Sequence, residues 1–213
     1  DMEGVYLAAP YSWTFTTIDT SNVETYTFNL VSGINWISVP LINSNITNAQ
    51  ELWAAMGLAP GDLIEEPDSA GSAGFSNYYG GEDDLGVIGT NFAVTHGKCY
   101  RVTTAVARTW TLTGDLPASE DNLFNLAVPG IHWIYLPLSK SGITSASALW
   151  ANPDGLGLVN GDLIEAPAPG LASFSNYYGG EDDLGVIGTD FAVSVGKPYR
   201  ITTANPIIST RFV

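Results

Sequence analysis

Short stretches in which apolar and polar residues alternate recur along the chain and predict β-strands. The clearest are SWTFTT from Ser12, GINWISVPL from Gly33 and TWTLTG from Thr109, which are rich in β-branched and aromatic residues. GKCYRVTT from Gly97 and GKPYRITT from Gly196 follow Gly-Lys turns and have the same character. The shorter runs DLIE, FAV and VIGT also indicate strands. The pattern therefore predicts an all-β protein.

One stretch in each half of the chain favours a helix instead. ITNAQELWAAMG has Thr47 as its predicted N-cap, Gln50 three residues later and Gly57 as its predicted end. The counterpart, ITSASALWANPDG, predicts a shorter helix because Pro153 cannot continue one.

These elements occur twice, in the same order. GINWISVPL from Gly33 matches GIHWIYLPL from Gly130, and GDLIE recurs from Gly61 and from Gly161. The chain is thus predicted to contain two copies of a module of roughly a hundred residues, spanning 18–114 and 115–213. Each copy would hold six or seven short strands and one short helix. A β-sandwich or a compact barrel buries such strands well.

One string is identical in both copies. FSNYYGGEDDLGVIGT occupies Phe75–Thr90 and again Phe174–Thr189, although AGSAG just before the first copy corresponds to PGLAS before the second. Identity beside such divergence indicates a shared constraint, for example an equivalent neighbour or ion at both copies.

The acidic residues within this string predict a metal site. Three adjacent carboxylates repel one another, and a hard cation such as Ca²⁺ would relieve that repulsion with loop oxygens as ligands. Asp62 and Glu65, with Asp162 and Glu165, could complete the two shells. The spacing is not that of an EF-hand, so a solvated acidic turn remains the open alternative. The predicted ligands are Glu82, Asp83, Asp84, Glu181, Asp182 and Asp183.

Two tyrosine pairs precede the acidic residues, Tyr78 with Tyr79 and Tyr177 with Tyr178. Exposed tyrosines could stack on sugar rings, which makes these four residues the candidate glycan site. In a β-module we expect one tyrosine of each pair in the core and the other at the surface.

Residues 1–17 have strand character but belong to neither module. The first lead-in, YSWTFTT, resembles the close of copy one, so the segment is predicted to be an orphan strand or hairpin. Unpaired strands need partners for their backbone groups. The segment could fold back on copy one or add to the sheet of a neighbouring chain. The predicted interface residues are Val5, Tyr6, Leu7, Trp13 and Phe15.

The charge balance narrows the choice of partners. The chain has 22 acidic and 7 basic residues, a formal net charge of −15. Nucleic acid and anionic membranes bind proteins through clustered Lys and Arg. The seven basic residues of this sequence are not clustered, so neither is an expected partner. No apolar run is long enough to span a membrane. Cations and neutral sugars remain as small partners.

Two further predictions concern export and catalysis. The chain starts at Asp1 and has one cysteine, Cys99, so we expect a processed, exported protein without an internal disulfide. His96 aligns with Val195 and His132 with Asn35, so no imidazole belongs to the module. No catalytic motif is present, and we expect a protein that is not an enzyme.

The pattern G-I-x-W-I-x-x-P-L, a helix with ELW or ALW, a GD-hydrophobic strand and G-K-x-Y-R-hydrophobic-T-T resembles a known module type. It is similar to the β-rich "GWNLISLPL…GKGYWV" modules of secreted and surface bacterial proteins. This chain departs from them by having Tyr-Arg where Tyr-Trp is typical and by its EDD loop. The resemblance implies an extracellular, non-catalytic role.

These observations lead to two functional hypotheses. The first is an extracellular structural protein that assembles with copies of itself into a surface filament or layer through strand addition by residues 1–17. The alternative is a tandem carbohydrate-binding or adhesion module of a larger secreted surface protein.

Overall fold

A computed structural model of the chain describes residues 23–68, 73–80, 86–118, 124, 126–151, 155–179 and 185–207. The first half contains seven strands and one helix in this description: β1 (Val23–Leu30), β2 (Gly33–Ser38), α1 (Ala49–Ala55), β3 (Leu63–Pro67), β4 (Phe75–Gly80), β5 (Val87–Gly89), β6 (Cys99–Thr104) and β7 (Arg108–Asp115).

The second half repeats the order from β2 to β6 over the residues described there. A short 3-10 helix, Leu138–Lys140, follows its first strand and has no counterpart among the elements of the first half. The other elements are β8 (Gly130–Tyr135), α2 (Ala146–Trp150), β9 (Leu163–Pro167), β10 (Phe174–Gly179), β11 (Val186–Gly188) and β12 (Pro198–Thr203).

Each half is built on a five-stranded antiparallel sheet with the same strand order. The first sheet runs β2-β6-β3-β4-β5 and the second runs β8-β12-β9-β10-β11. Every ladder between these strands joins strands of the same half. The predicted all-β class with two similar halves is confirmed, while the module limits 18–114 and 115–213 stay predictions.

In the first half, a β1–β7 ribbon covers one face of the sheet. The two strands pair antiparallel over their whole length, with Phe28 opposite Trp110. The rings of Phe28 and Trp110 stack with centroids 5.2 Å apart. Both join Ile37, Ile64 and other sheet residues in one buried cluster. Because the apolar side of the ribbon faces the apolar side of the sheet, the half is sandwich-like.

The second half has the start of an equivalent ribbon. The Ile207 amide donates to the Leu126 carbonyl at 3.0 Å, at the place where Leu30 pairs with Arg108 in the first half. Phe124 and Leu126 are buried in the second core.

Two local predictions need correction. The N-cap of α1 is Asn48 rather than Thr47, because the Asn48 side chain accepts the Glu51 amide at 3.0 Å. The Glu51 carboxylate in turn accepts the amide of Thr47, the residue before the N-cap, at 2.7 Å, so side chains from both directions satisfy amides at the start of the helix. FAV, predicted as a strand, forms only an isolated bridge between Ala93 and Asn48.

The predicted end of α1 and the shorter second helix are confirmed. Gly57 follows the C-cap Met56 with φ +62, a conformation that glycine adopts without strain. Helix α2 has five residues against seven in α1.

Candidate functional site

The described parts of the identical string form the hairpin strands β4 and β5 in the first half, and β10 and β11 in the second. In both halves the second strand of the hairpin is the last strand of its sheet. The repeated string therefore lies at the edge of each sheet, as far as possible from β2 and β8.

The backbone explains the identity of several glycines in this string. Gly89 and Gly188 have φ of +102 and +105, and a Cβ on either would collide with the carbonyl oxygen of Asn77 or Asn176. A Cβ on Gly80 would collide with the Trp53 ring. The hairpin backbone therefore requires glycine at 89 and 188, and the Trp53 ring favours it at 80.

The aliphatic residues of the edge strands have no such explanation. Val87 and Ile88 are 58% and 49% exposed, and their equivalents Val186 and Ile187 are 57% and 50% exposed. Among the described strands, nothing pairs with the outer side of β5 or β11. Folding of the single chain does not require aliphatic residues here, yet both copies have the same two.

The tyrosines of the string are divided between core and surface, as expected. Tyr78 and Tyr177 are buried, and each packs edge-on against a helix tryptophan, Trp53 or Trp150. Tyr79 and its equivalent Tyr178 are half-buried on the opposite face of the sheet. Burial thus takes Tyr78 and Tyr177 out of the candidate sugar site.

The predicted metal ligands lie outside the described residues. These are Glu82, Asp83, Asp84, Glu181, Asp182 and Asp183, in the segments 81–85 and 180–184. In the part of the chain that is described, no group of three or more His, Cys, Asp or Glu side chains could hold a metal ion.

The four carboxylates expected to complete the metal shells have internal partners instead, which corrects that expectation. Asp62 is 1% exposed; its Oδ1 accepts the Ala105 amide at 2.9 Å, and its Oδ2 accepts the Ala59 amide at 2.9 Å. Arg108 adds a contact to Oδ2 at 3.2 Å. Asp162 accepts the Val159 and Ala204 amides in the same way. A buried carboxylate needs hydrogen-bond donors, and here those donors are backbone amides of turns. Both aspartates therefore stabilise the turns around them.

Glu65 and Glu165 form bidentate ion pairs on the outer face of each sheet, the face away from the core. Arg101 Nη2 donates to Glu65 at 2.5 Å, and Arg200 Nη2 donates to Glu165 at 2.7 Å. Because both oxygens of each carboxylate are engaged, neither glutamate is a free metal ligand.

The outer faces meet at an aromatic array that joins the two halves. Trp36 of β2 stacks on Trp133 of β8 with centroids 3.3 Å apart and planes 15° apart. The ring centroids of Phe75 and Trp36 are 6.0 Å apart, and those of Phe174 and Trp133 are 6.1 Å apart. The guanidinium groups of Arg101 and Arg200 cover the Phe75 and Phe174 rings at 4.2 and 4.1 Å. The two tryptophans cover one face of each other, so the array functions as a joint between the halves.

The contacts around this array are reciprocal. Ser38 ends β2 and donates to the Gly196 carbonyl of the second half. Tyr135, its equivalent at the end of β8, bonds through its hydroxyl to His96 Nε2 of the first half at 3.1 Å. His96 immediately precedes Gly97, the equivalent of Gly196. Trp36 stacks on its own equivalent Trp133, and Ser38 and Tyr135 each reach the matching turn of the other half, so the interface has an approximate two-fold axis.

Backbone contacts strengthen the junction. The Gly170 amide donates to the Ile34 carbonyl at 2.7 Å. The Tyr26 hydroxyl donates to the Val195 carbonyl at 2.6 Å, and burial raises the pKa of Tyr26 above its ordinary value. A Cβ on Gly33 would collide with the Gly170 carbonyl oxygen, so the two backbones approach too closely for a side chain.

Sequence reasoning did not identify this junction. The signal was present, because Trp36 and Trp133 occupy matching strand positions whose neighbours Asn35, Ile37, His132 and Ile134 face the cores. A tryptophan on the outer face of a strand indicates a second packing partner. The pattern does not reveal that this partner is the equivalent tryptophan.

The predicted interface segment lies outside the described residues. Residues 1–17, with Val5, Tyr6, Leu7, Trp13 and Phe15, fall within the segment 1–22. None of the helices that the structure describes is long and apolar enough to cross a membrane.

Comparison of the chain with protein-family models, with curated proteins and with solved structures gives no match.

Proposed function

We propose that the protein is an extracellular structural subunit that assembles with copies of itself into a surface filament or layer. In this proposal residues 1–17 of one chain add as a strand to the sheet of a neighbour. Head-to-tail addition of this kind does not close on itself, so it extends a polymer.

One observation carries the proposal: each sheet has an edge strand with two exposed aliphatic residues. Val87 with Ile88 and Val186 with Ile187 are about half exposed at positions where, in the described chain, the sheet has no further strand. Such an edge is a ready template for an incoming strand. In the sequence, neither histidine nor the cysteine recurs at the matching position of the other copy, which supports a non-enzymatic role as well.

The proposal is tested by deleting residues 1–17 and comparing the deleted and full-length proteins by electron microscopy and sedimentation. In dilute protein at low salt, where repulsion between the acidic chains opposes other contacts, we expect filaments or sheets from the full-length chain and folded particles without filaments from the shortened one. A second variant, in which Val5, Leu7, Trp13 and Phe15 are changed to Asn together, keeps the chain length and should also lose the filaments. Normal filaments from both variants would contradict the proposed strand addition.

The second candidate function is carbohydrate binding, and the position of one tyrosine pair favours it. Tyr79 and Tyr178 are half-buried on the outer faces of the two sheets, at equivalent places. Tyr79→Ala with Tyr178→Ala should abolish selective binding on a glycan array if this function is present. Tyr78→Phe serves as control, because Tyr78 lies in the core.

A further inference from the structure

The edge strands β5 and β11 have a property that addition of the N-terminal segment does not need: they are identical to each other. Their three residues are the same, Val-Ile-Gly, and so are the residues of the strands beside them. A surface that occurs twice in one chain can meet the same surface on a second copy. We propose that these edges pair antiparallel between copies of this chain, which would join two five-stranded sheets into one of ten strands.

The outer face of each sheet also favours a second copy of the chain as the partner. Tyr79 lies directly between Leu63 and Ile88 in the ladders, so these three apolar residues form a row that ends at the sheet edge. The second half has the same row in Leu163, Tyr178 and Ile187. Antiparallel pairing centred on Ile88 and Ile187 places the two isoleucines opposite each other. The two rows then become one, and the exposed ends cover each other.

Charge favours the antiparallel direction. The acidic residues Glu82–Asp84 precede β5 in the chain, and Glu181–Asp183 precede β11. In an antiparallel pair the beginning of one strand lies opposite the end of the other, so the chain enters β5 and β11 at opposite ends of the pair. A parallel pair would begin both strands at the same end, each directly after an acidic run in the sequence, which like-charge repulsion opposes. The net charge of −15 still opposes association, so added salt should strengthen it.

The two edges also determine the kind of assembly. The halves meet through β2 and β8, so β5 and β11 are the opposite ends of the sheet pair and one chain offers two separate contacts. This contact does not use residues 1–17. Each chain has two outer edges and one N-terminal segment, so strand addition at one edge leaves the other edge available for pairing with a second copy.

The test uses the full-length chain and two charge-matched double variants. Ile88→Lys with Ile187→Lys places a cation on each edge. Val106→Lys with Leu171→Lys places the same charges on aliphatic residues that are each 60% exposed and lie outside the strands. Association is measured by sedimentation at rising protein and salt concentration, with and without residues 1–17.

We expect the wild type to associate more strongly at higher salt, with or without residues 1–17. The edge variant should be at least tenfold weaker in self-association, and the Val106/Leu171 variant should resemble the wild type. In the chain without residues 1–17, Ile88→Lys alone should stop growth at dimers, because one edge remains. The inference is overturned by a shortened chain that stays monomeric at all salt concentrations, or by equal association of the two lysine variants. Loss of filaments on deleting residues 1–17 would instead concern the N-terminal contact.

Discussion

The inner and outer edge strands of each sheet differ in how far their sequences agree between the two copies. The inner edges, β2 and β8, lie in the junction between the halves, yet Ser38 corresponds to Tyr135 and Asn35 to His132. The outer edges, β5 and β11, are exposed, yet they are identical in sequence. The buried region has diverged between the copies and the exposed region has not.

This contrast reflects what each edge must fit. An inner edge meets one partner within the same chain, so a change on one side can be matched by a different residue on the other. Tyr135 reaches His96 where Ser38 reaches the Gly196 backbone, and both arrangements satisfy their polar groups. An outer edge that meets copies of itself must fit the same surface every time. Identity is then the simplest way to remain complementary.

The largest expected effect comes from making the inner edges alike. Tyr135 is fully buried, so Tyr135→Ser, which copies Ser38, should lower the free energy of unfolding by about 4 kcal/mol through the cavity it leaves. Chemical denaturation measures the change. Tyr135→Phe keeps the ring and should cost only about 1 kcal/mol for the lost bond to His96. A Tyr135→Ser variant as stable as Tyr135→Phe would show that the halves do not pack here.

The tryptophan stack should have the next largest effect. Trp36→Ala should cost about 3 kcal/mol, because a large half-buried ring loses its partner. Trp133→Ala should cost a similar amount, and the double variant should cost about 1 kcal/mol less than the sum. The double-mutant cycle is measured by denaturant unfolding. Strict additivity would mean that the two rings do not stabilise each other.

At the outer edge, the glycine and the isoleucine should behave differently. Gly89→Ala should lower stability by about 2 kcal/mol, because it places a Cβ against the Asn77 carbonyl at φ +102. Ile88→Thr, one residue away, should change stability by less than about 0.5 kcal/mol. Thermal unfolding of dilute protein compares them. A large loss from Ile88→Thr would assign the isoleucine to the fold of the single chain.

The smallest effect concerns pH and residue 132 of the inner edge. The buried His132 donates from Nε2 to the Val128 carbonyl at 2.7 Å, and desolvation lowers its pKa below the ordinary value. Asn35 in the first half makes the same bond to Val31 at 2.7 Å without a titrating group. The unfolded chain therefore binds a proton at this histidine more readily than the folded chain. Stability from this group is complete above about pH 6.5 and falls as pH decreases toward the folded pKa.

His132→Asn should keep the hydrogen bond to Val128 and remove the pH-dependent part of the stability that comes from residue 132. The slope of unfolding free energy against pH should flatten below pH 6.5, by at most about 1.4 kcal/mol per pH unit. His96→Gln serves as the control because His96 is the other histidine of the chain. An unchanged slope in His132→Asn would show that His132 is protonated equally in both states.

The sequence determined the local elements and their repetition, because strand alternation, turn glycines and helix caps act over a few residues. β6 and β7 were predicted from such patterns and are confirmed, and the N-cap of α1 was missed by one residue. FAV failed as a strand because a short apolar run does not show whether a neighbour pairs with it. The identical string was visible as letters, but only strand order revealed that it lies at both sheet edges.

Tertiary structure alone decided which residues became partners. Asp62 and Glu65 were plausible metal ligands by type, and the fold gave them turn amides and an arginine instead. Trp36 and Trp133 are 97 positions apart in number, and only the approximate two-fold arrangement of the halves brings them face to face. Chemical character is a property of each residue and can be read along the chain. Proximity depends on how two separately folded sheets pack, and no local pattern encodes that.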